Sequence, residues 1–278
     1  MTDYRQPLDQ ARLALELPSL NGPWTAIGVV RQTGSTNADL LDLATRGLEP
    51  GAILVAEEQT AGRGRLGRSW VSPPGASLMF SVLLRPQAIP PARRGWLPLL
   101  AGIATATAVR ALTGLDARLK WPNDVLVGDR KLAGILTESA GTDPAASPGG
   151  AGDAVVIGIG INVSTTPEEL PLGPGGLPAT SLLAEGIPVE RDVLLVEVLR
   201  ALGQWLKTYT RIPDPQESGL LTQYQRMSAT IGRGVRVELP GGVALSGMAT
   251  AIDAQGQLLV EADGSTYPIA AGDVIHVR

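Results

Sequence analysis

The most constraining feature of this sequence is a loop of arginine and glycine held between two apolar segments. Residues 57–70 read EEQTAGRGRLGRSW, and apolar runs at 51–56 and 76–84 flank them. Glycine permits close backbone approach to a ligand, and the arginine guanidinium matches phosphate and carboxylate oxygens. The flanks indicate buried strands, and a loop fixed between core strands is a site more often than a solvated basic loop or an Arg-Gly tail. We therefore interpret 57–70 as a loop that encloses a small anion.

The composition restricts the chemistry that such a loop can perform. The chain of 278 residues is 44% hydrophobic and 18% charged, which predicts a globular core. Its net charge of −4 favours a small anionic ligand over a nucleic acid. There is no cysteine, and His276 is the only histidine, so thiolate chemistry is excluded and a His-based triad or metal cluster nearly so. Lysine, arginine, aspartate and amide groups must supply the chemistry.

Residues 1–20 contain acidic side chains and no apolar core of a signal peptide. No uninterrupted apolar run in the sequence reaches the length of a membrane span. The sequence thus predicts a soluble cytoplasmic protein without a membrane partner.

The spacing of apolar residues predicts an α+β fold with a mixed, mainly antiparallel sheet flanked by helices. A run rich in Gly, Ala, Ser and Pro at 141–153 indicates a loop between two strands. We expect helices at 35–46, 95–113 and 192–209, and main-sheet strands at 24–30, 51–56, 76–84, 118–121, 125–127, 131–139 and 154–163. Five short strands between 235 and 277 predict a small SH3-like β-barrel. The expected domains are a short N-terminal extension (1–24), a catalytic domain (25–229) and the C-terminal barrel (230–278).

Three further motifs carry polar groups or glycines at strand positions. The run KWPND at 120–124 presents Asn123 and Asp124 at a strand end, where they could meet a ribose or magnesium or simply form a turn. In KLAG at 131–134, Lys131 could reach phosphate or lie exposed at a strand end, and Gly134 indicates close approach of a ligand or backbone. Gly158 and Gly160 share one face of a strand and could form a floor for a flat ring or a tight packing site.

Taken together and in this order, these motifs resemble those of the biotin–protein ligases. The resemblance covers about residues 25–278 and is carried by 35–37, 59–70, 120–124, 131–134, 158–162 and 179–182. It implies the class II synthetase-like catalytic domain of biotin–lipoate ligases, followed by the family's SH3-like domain. Only residues 1–24 precede the matching core, which are too few for the helix-turn-helix domain of bifunctional members. We therefore expect no specific DNA binding.

The resemblance implies overlapping sets of site residues. The catalytic residues would be Lys131, Arg63 and Arg65. The biotin-binding residues would be Ser35, Thr36, Asn37, Gln59, Arg63, Gly64, Arg65, Lys131, Gly134, Gly158 and Gly160, with the first four on the ureido head. The ATP- and adenylate-binding residues would be Arg65, Arg68, Trp70, Asn123, Asp124, Lys131, Asn162 and Thr180. Magnesium would be held through Asp124, without His or Cys ligands.

The implied reaction has two steps. The carboxylate of biotin attacks the α-phosphorus of ATP to give biotinyl-5′-adenylate and pyrophosphate, and a lysine of a biotin carboxyl carrier protein then attacks the activated carbonyl and displaces AMP. The alternatives are a lipoate or octanoate ligase of the same fold and a noncatalytic RNA-binding module. The polar Ser35–Asn37 cluster favours a ureido head over a long apolar tunnel, and an aromatic content of 4% disfavours base stacking. An exposed sheet edge would allow a homodimer, and the sequence leaves the oligomeric state and the carrier's identity open.

Overall fold

The computed structural model describes residues 4–20, 22–140, 153–171, 177–239 and 243–277. Most of the loop expected at 141–153 lies outside these residues. The helices are α1 (Gln10–Glu16), α2 (Thr36–Thr45), α3 (Trp96–Thr113), α4 (Arg191–Arg211) and α5 (Leu220–Met227). The helices α2, α3 and α4 confirm the three expected from periodicity. The two-turn α5 was not expected.

Seven strands form the main sheet in the order β1-β2-β3-β7-β6-β5-β4. They are β1 (Ala26–Val30), β2 (Ala52–Ala56), β3 (Ser77–Leu84), β4 (Ala117–Lys120), β5 (Asp124–Val127), β6 (Arg130–Ser139) and β7 (Val155–Asn162). Only β1 and β2 pair in parallel, joined by the crossover helix α2, and all other neighbours are antiparallel. The predicted mixed, mainly antiparallel sheet is confirmed.

The two faces of this sheet differ because side chains alternate along each strand. Phe80 and Val82 of β3 join the large core with α3 and α4, as does Ile159 of β7. The opposite face packs α2 over Leu83 and Val156 at one end of these strands. At the other end the same face carries serines and glycines, and this small, polar surface is left open for a site.

Helix α3 forms the centre of the large core. The helical stretch Pro91–Thr113 is long and apolar enough to cross a membrane by length and composition alone. Its side chains instead pack against α4, α5 and the sheet, and Trp96, Leu100 and Ile103 are completely buried. Its apolar composition is therefore accounted for by burial inside the protein.

The second sheet is antiparallel throughout, in the order β11-β10-β9-β8-β12. Its strands are β8 (Gly234–Glu238), β9 (Ala244–Ile252), β10 (Leu258–Ala262), β11 (Ser265–Ile269) and β12 (Asp273–His276), close to the five expected. The turn between β9 and β10 docks on the main domain, where Trp121 Nε1 donates to Gly256 O at 3.0 Å and Trp96 Nε1 donates to Asp253 O at 3.2 Å. Two buried tryptophans thus fix the second sheet against the first.

Both edges of the main sheet are partly covered within the described residues. On β1, Val29 N donates to the side-chain oxygen of Gln10, the first residue of α1. On β4, Leu119 O accepts from Ala229 N at 2.7 Å. These contacts reduce the length of free edge that could pair with another chain.

Candidate active site

A cavity of about 620 Å³ opens on the polar end of the main sheet and is closed on one side by the second sheet. The arginine–glycine loop, the β4–β5 turn and the glycines of β6 and β7 surround it. Fifteen of the predicted site residues line it: Ser35, Thr36, Asn37, Gln59, Arg63, Gly64, Arg65, Arg68, Trp70, Asn123, Asp124, Lys131, Gly134, Gly158 and Gly160. Motifs that are distant in the sequence therefore meet in one place.

Two predicted adenylate residues, Asn162 and Thr180, do not line the cavity. Asn162 Nδ2 donates to Thr180 O at 2.9 Å, and both residues are buried. The Thr180 hydroxyl donates to Glu185, and Thr180 N donates to Lys131 O at 2.8 Å. Their contacts hold the segment after β7 against the start of β6 and thereby fix the backbone of Lys131.

A buried hydrogen-bond network forms the end of the cavity at the start of α2. Gln59 Oε1 accepts from Thr36 N at 2.8 Å and from the Thr36 hydroxyl at 3.1 Å. Ser81 of β3 donates its hydroxyl to Asn37 Oδ1 at 2.6 Å and lies 2.6 Å from Thr36 Oγ1. Because Thr36, Asn37 and Ser81 are buried and all of these groups are bonded to one another, their orientations are fixed before a ligand arrives.

The two amides of this network offer complementary groups. Asn37 Nδ2 donates to Leu136 O at 3.2 Å and to Glu138 Oε2 at 2.8 Å, so both of its protons are used. Within the described parts of the chain, Gln59 Nε2 has only the weak acceptor Met79 Sδ at 3.5 Å. Asn37 thus presents an acceptor oxygen to the cavity and Gln59 presents a donor nitrogen.

Glu138 was missed by the sequence analysis. Its second carboxylate oxygen accepts from Arg63 Nη1 at 3.4 Å, so Glu138 connects Asn37 with the arginine–glycine loop. Glu138 lies on the same face of β6 as Gly134 and Leu136. Counting every second residue from Gly134 along the strand would have predicted that Glu138 faces the cavity.

The glycines of the sheet accommodate protein side chains. Gly134 and Gly160 are direct partners in the β6–β7 register, and the ring of Trp70 lies over both. A Cβ on Gly160 would lie 2.7 Å from Trp70 Cε2, and one on Gly158 would lie 2.3 Å from Asn37 Oδ1. Trp70 and Asn37 thus pack tightly against these glycines, and a floor for a ligand ring stays a prediction.

Each arginine of the loop has a polar partner from a different element. Arg63 pairs with Glu138 of β6, Arg65 Nη1 donates to Asn123 Oδ1 at 3.3 Å, and Arg68 forms a bidentate pair with Asp273 of β12. Burial lowers the pKa of Arg65, against the attraction of nearby Asp124. The loop therefore presents Arg65 as a partly desolvated cation, and its attraction to an incoming anion is stronger than it would be in water.

Two lysines share the neighbourhood of Asp124. Lys131 Nζ lies 2.7 Å from Asp124 Oδ1 and 5.8 Å from the centroid of the Trp70 ring. Burial lowers the pKa of Lys120, and Lys131 and Arg68 act in the same direction while Asp124 opposes them. Lys120 belongs to the KWPND motif but was not expected to line the cavity, which it does.

The second sheet contributes part of the cavity wall, which the sequence analysis did not predict residue by residue. Arg233, Glu238 and residues 273–277 line the cavity. Burial lowers the pKa of His276 to about 4, with Lys120 and Arg233 adding to the shift. Its Nε2 lies 3.1 Å from the hydroxyl of Thr230.

Among the described residues there is no group of three or more His, Cys, Asp or Glu side chains that could hold a metal by themselves. Asp124 contributes one carboxylate, next to the amide of Asn123. Magnesium commonly takes one or two carboxylates and completes its shell with water and substrate phosphates. The residues present therefore fit a magnesium ion only together with a phosphate ligand.

Comparison with known proteins agrees with this geometry. Residues 29–162 match the profile of the Biotin/lipoate A/B protein ligase family, and residues 230–277 match that of the Biotin protein ligase C terminal domain. The chain belongs to the biotin protein ligase family. It is similar, at 42% identity and over the full length of both chains, to a biotin–[acetyl-CoA-carboxylase] ligase of Mycobacterium tuberculosis.

Solved structures show the same fold. The biotin protein ligase of Aquifex aeolicus, in complex with biotin and ATP, superposes with a TM-score of 0.72 at 26% identity and covers 91% of this chain and 98% of its own. The Leishmania major enzyme in complex with biotinyl-5-AMP gives a TM-score of 0.60 at 25% identity, with 90% and 99% covered. The α+β fold with an added antiparallel domain is thus confirmed.

Proposed function

We propose that this protein is an ATP-dependent biotin–protein ligase, which makes biotinyl-5′-adenylate and transfers biotin to a lysine of a biotin carboxyl carrier protein. The observation that carries the proposal is a pair of side-chain amides, Asn37 and Gln59, beside a cluster of cations in one cavity. Asn37 offers an acceptor and Gln59 a donor, which suits the N–H and C=O groups of a ureido ring. Arg63, Arg65 and Lys131 suit the carboxylate and phosphates that react next to it.

The first step needs charge neutralisation and alignment. Both reactants are anionic, so the cations reduce their repulsion and stabilise charge that develops at the α-phosphorus. Lys131, held by Asp124, is the point charge nearest the glycine floor. Magnesium would be carried by the ATP phosphates and held through Asp124 and Asn123, where it would supply further neutralisation of phosphate.

The arginine–glycine loop would retain the adenylate. It covers the cavity with Trp70 on the glycines, and it would exclude water from the mixed anhydride until the carrier lysine attacks. Asn162 and Thr180 would act by fixing the backbone beside Lys131. Arg68 would contact the nucleotide from its position on Asp273.

The remaining expectations are also proposals. The catalytic unit at 25–229 and the C-terminal unit at 230–278 are supported by the profile match that starts at residue 230. A cytoplasmic location, the absence of specific DNA binding and the oligomeric state stay predictions. A lipoate or octanoate ligase is disfavoured, since the cavity end at Asn37 and Gln59 is polar.

The test is a transfer assay with purified protein, ATP, magnesium and a biotin carboxyl carrier domain. Labelled biotin should appear on the carrier lysine and pyrophosphate should be released in equal amount. Lipoate and octanoate in place of biotin should give no labelled carrier. Transfer of either of these acids, with none of biotin, would contradict the proposal.

A further inference from the structure

The two ends of the arginine–glycine loop meet at one point of the structure. The loop leaves β2 at Glu57 and enters β3 after Gly75, and Gly75 N donates to Glu57 O at 2.9 Å. Gly75 has a φ of +70°, a left-handed conformation that favours glycine. The base of the loop is therefore closed by backbone contact, and groups that hold Glu57 and Gly75 also hold the loop.

An ion pair between a buried arginine and a partly buried glutamate lies under this base. Arg191, the first residue of α4, has a side chain that is 2% exposed, and its Nη1 lies 2.7 Å from Glu57 Oε2. Arg191 Nη1 also donates to Ser77 O at 3.4 Å, on the first residue of β3. Neither residue lines the cavity, and the reaction described above uses neither of them.

The N-terminal segment completes the pair. Leu8 N donates to Glu57 Oε1 at 2.6 Å, and Arg191 Nη2 donates to Gln6 O at 2.7 Å. Arg5 lies against the other side of the base, where its Cβ is 3.3 Å from the Cβ position of Gly75. The segment 5–8 is itself held by the ion pair of Arg5 with Glu169. Its contacts thus converge on the loop base.

We propose that the Glu57–Arg191 pair, together with the backbone of residues 6–8, is a positioning device that sets the closed geometry of the arginine–glycine loop. The proposal gives the N-terminal extension a role in catalysis by the main domain. It rests on the proposed function, because the ligand retained under the loop is taken to be the acyl-adenylate.

The loop residues next to Gln59 have contacts of their own, so loss of the Glu57–Arg191 pair should affect one function of the loop more than the other. On the entry side, Thr60 N and Ala61 N donate to Thr33 O and Gly34 O at 2.9 Å each, and Gln59 is held by Thr36. The biotin-side residue Gln59 therefore keeps its own contacts when the pair is lost. We expect the closure over phosphate to weaken while recognition of the ureido ring stays intact.

The experiment measures release of labelled biotinyl-5′-adenylate, biotin affinity and melting temperature in the full-length protein. Glu57→Gln should accelerate adenylate release about tenfold and leave the biotin Kd within about twofold of wild type. Arg191→Lys keeps both charges but cannot satisfy Gln6 O and Ser77 O together, so it should also accelerate release. Asp214→Asn is the matched control, because it removes the carboxylate of the Arg93 pair, which lies outside the loop base.

A double variant separates positioning from stability. Breaking one side of a buried pair leaves an uncompensated charge, whereas replacing both sides can restore stability. Glu57→Gln with Arg191→Met should therefore recover melting temperature relative to Glu57→Gln alone and still release the adenylate quickly.

Unchanged release in folded Glu57→Gln and Arg191→Lys proteins would overturn the inference. So would an equal loss of biotin affinity, an equal effect of Asp214→Asn, or release that recovers with stability in the double variant. Failure of the wild-type protein to form any adenylate would instead refute the proposed function. The two results are therefore distinguishable.

Discussion

Gly158→Ala is expected to weaken biotin binding by a mechanism that the structure quantifies. A Cβ at this position would lie 2.3 Å from Asn37 Oδ1 and 2.9 Å from Asn37 Cγ, well inside van der Waals contact. Asn37 cannot yield without losing bonds, since its amide is held by Ser81, Leu136 O and Glu138. A neutral hydrogen bond contributes about 1 kcal/mol and one to a charged group about 1.5–3 kcal/mol.

Displacing Asn37 should therefore cost about 2–4 kcal/mol in stability, which combines two or three such bonds. Biotin affinity should fall by about 10- to 100-fold, since the acceptor for the ureido N–H moves out of place. Titration calorimetry with biotin and thermal unfolding measure the two effects separately.

Gly28→Ala provides the matched control in a strand of the same sheet. A Cβ there would lie 3.6 Å from Leu54 Cδ1, which is an ordinary contact. This variant should keep the biotin affinity and melting temperature of the wild type. If Gly158→Ala behaves like Gly28→Ala in both measurements, the reasoning that Asn37 is fixed against the glycine is wrong.

Three other outcomes are expected. Lys131→Ala should lower the rate of adenylate formation by about 10²- to 10³-fold in a pyrophosphate-release assay while the protein stays folded; a near wild-type rate would contradict its role. Asp273→Asn should raise the KM for ATP about three- to tenfold and leave that for biotin unchanged, because Arg68 loses the carboxylate that orients it; an unchanged KM would show the pair to be inert. The pKa of His276 is lowered from 6.5 to about 4 in the folded protein. As the pH falls, the unfolded chain therefore takes up the proton before the folded protein does, and the free energy of unfolding decreases between pH 6.5 and 4. His276→Gln should therefore show a shallower fall of melting temperature over that interval, and an unaltered slope would rule out the contribution.

The sequence predicted the order and kind of most elements because their signals are local. Strands and helices are indicated by long apolar runs such as 76–84 and 95–113 and by the glycines that end them. Neither signal requires knowledge of the elements against which a segment packs. The helix Leu220–Met227 is amphipathic but was missed, since two turns are too short for its periodicity to be recognised in the sequence. Its burial depends on Tyr224, whose ring meets Trp96 edge-on at 6.1 Å, and such a contact is not visible from spacing.

The site was predicted to the extent that its residues cluster in motifs. Residues from the runs at 57–70 and 120–124 line one cavity as expected, while the individual contacts could not be derived. Glu138 and Asp273 stand in ordinary strand sequences, and only the register of β6 and the docking of β12 bring them to the arginines. Trp70 was expected at the adenine, and its position on Gly134 and Gly160 depends on the path of the loop, which periodicity does not describe.

The contribution of β12 to the cavity has a consequence for synthesis of the protein. The pocket lacks Asp273 and the neighbouring wall until this strand has left the ribosome and paired with β8, long after the arginine–glycine loop has been made. A nascent chain that has folded only as far as α5 would hold its ligands in an open cleft. Completion of the cavity wall during translation thus waits for β12 to be made.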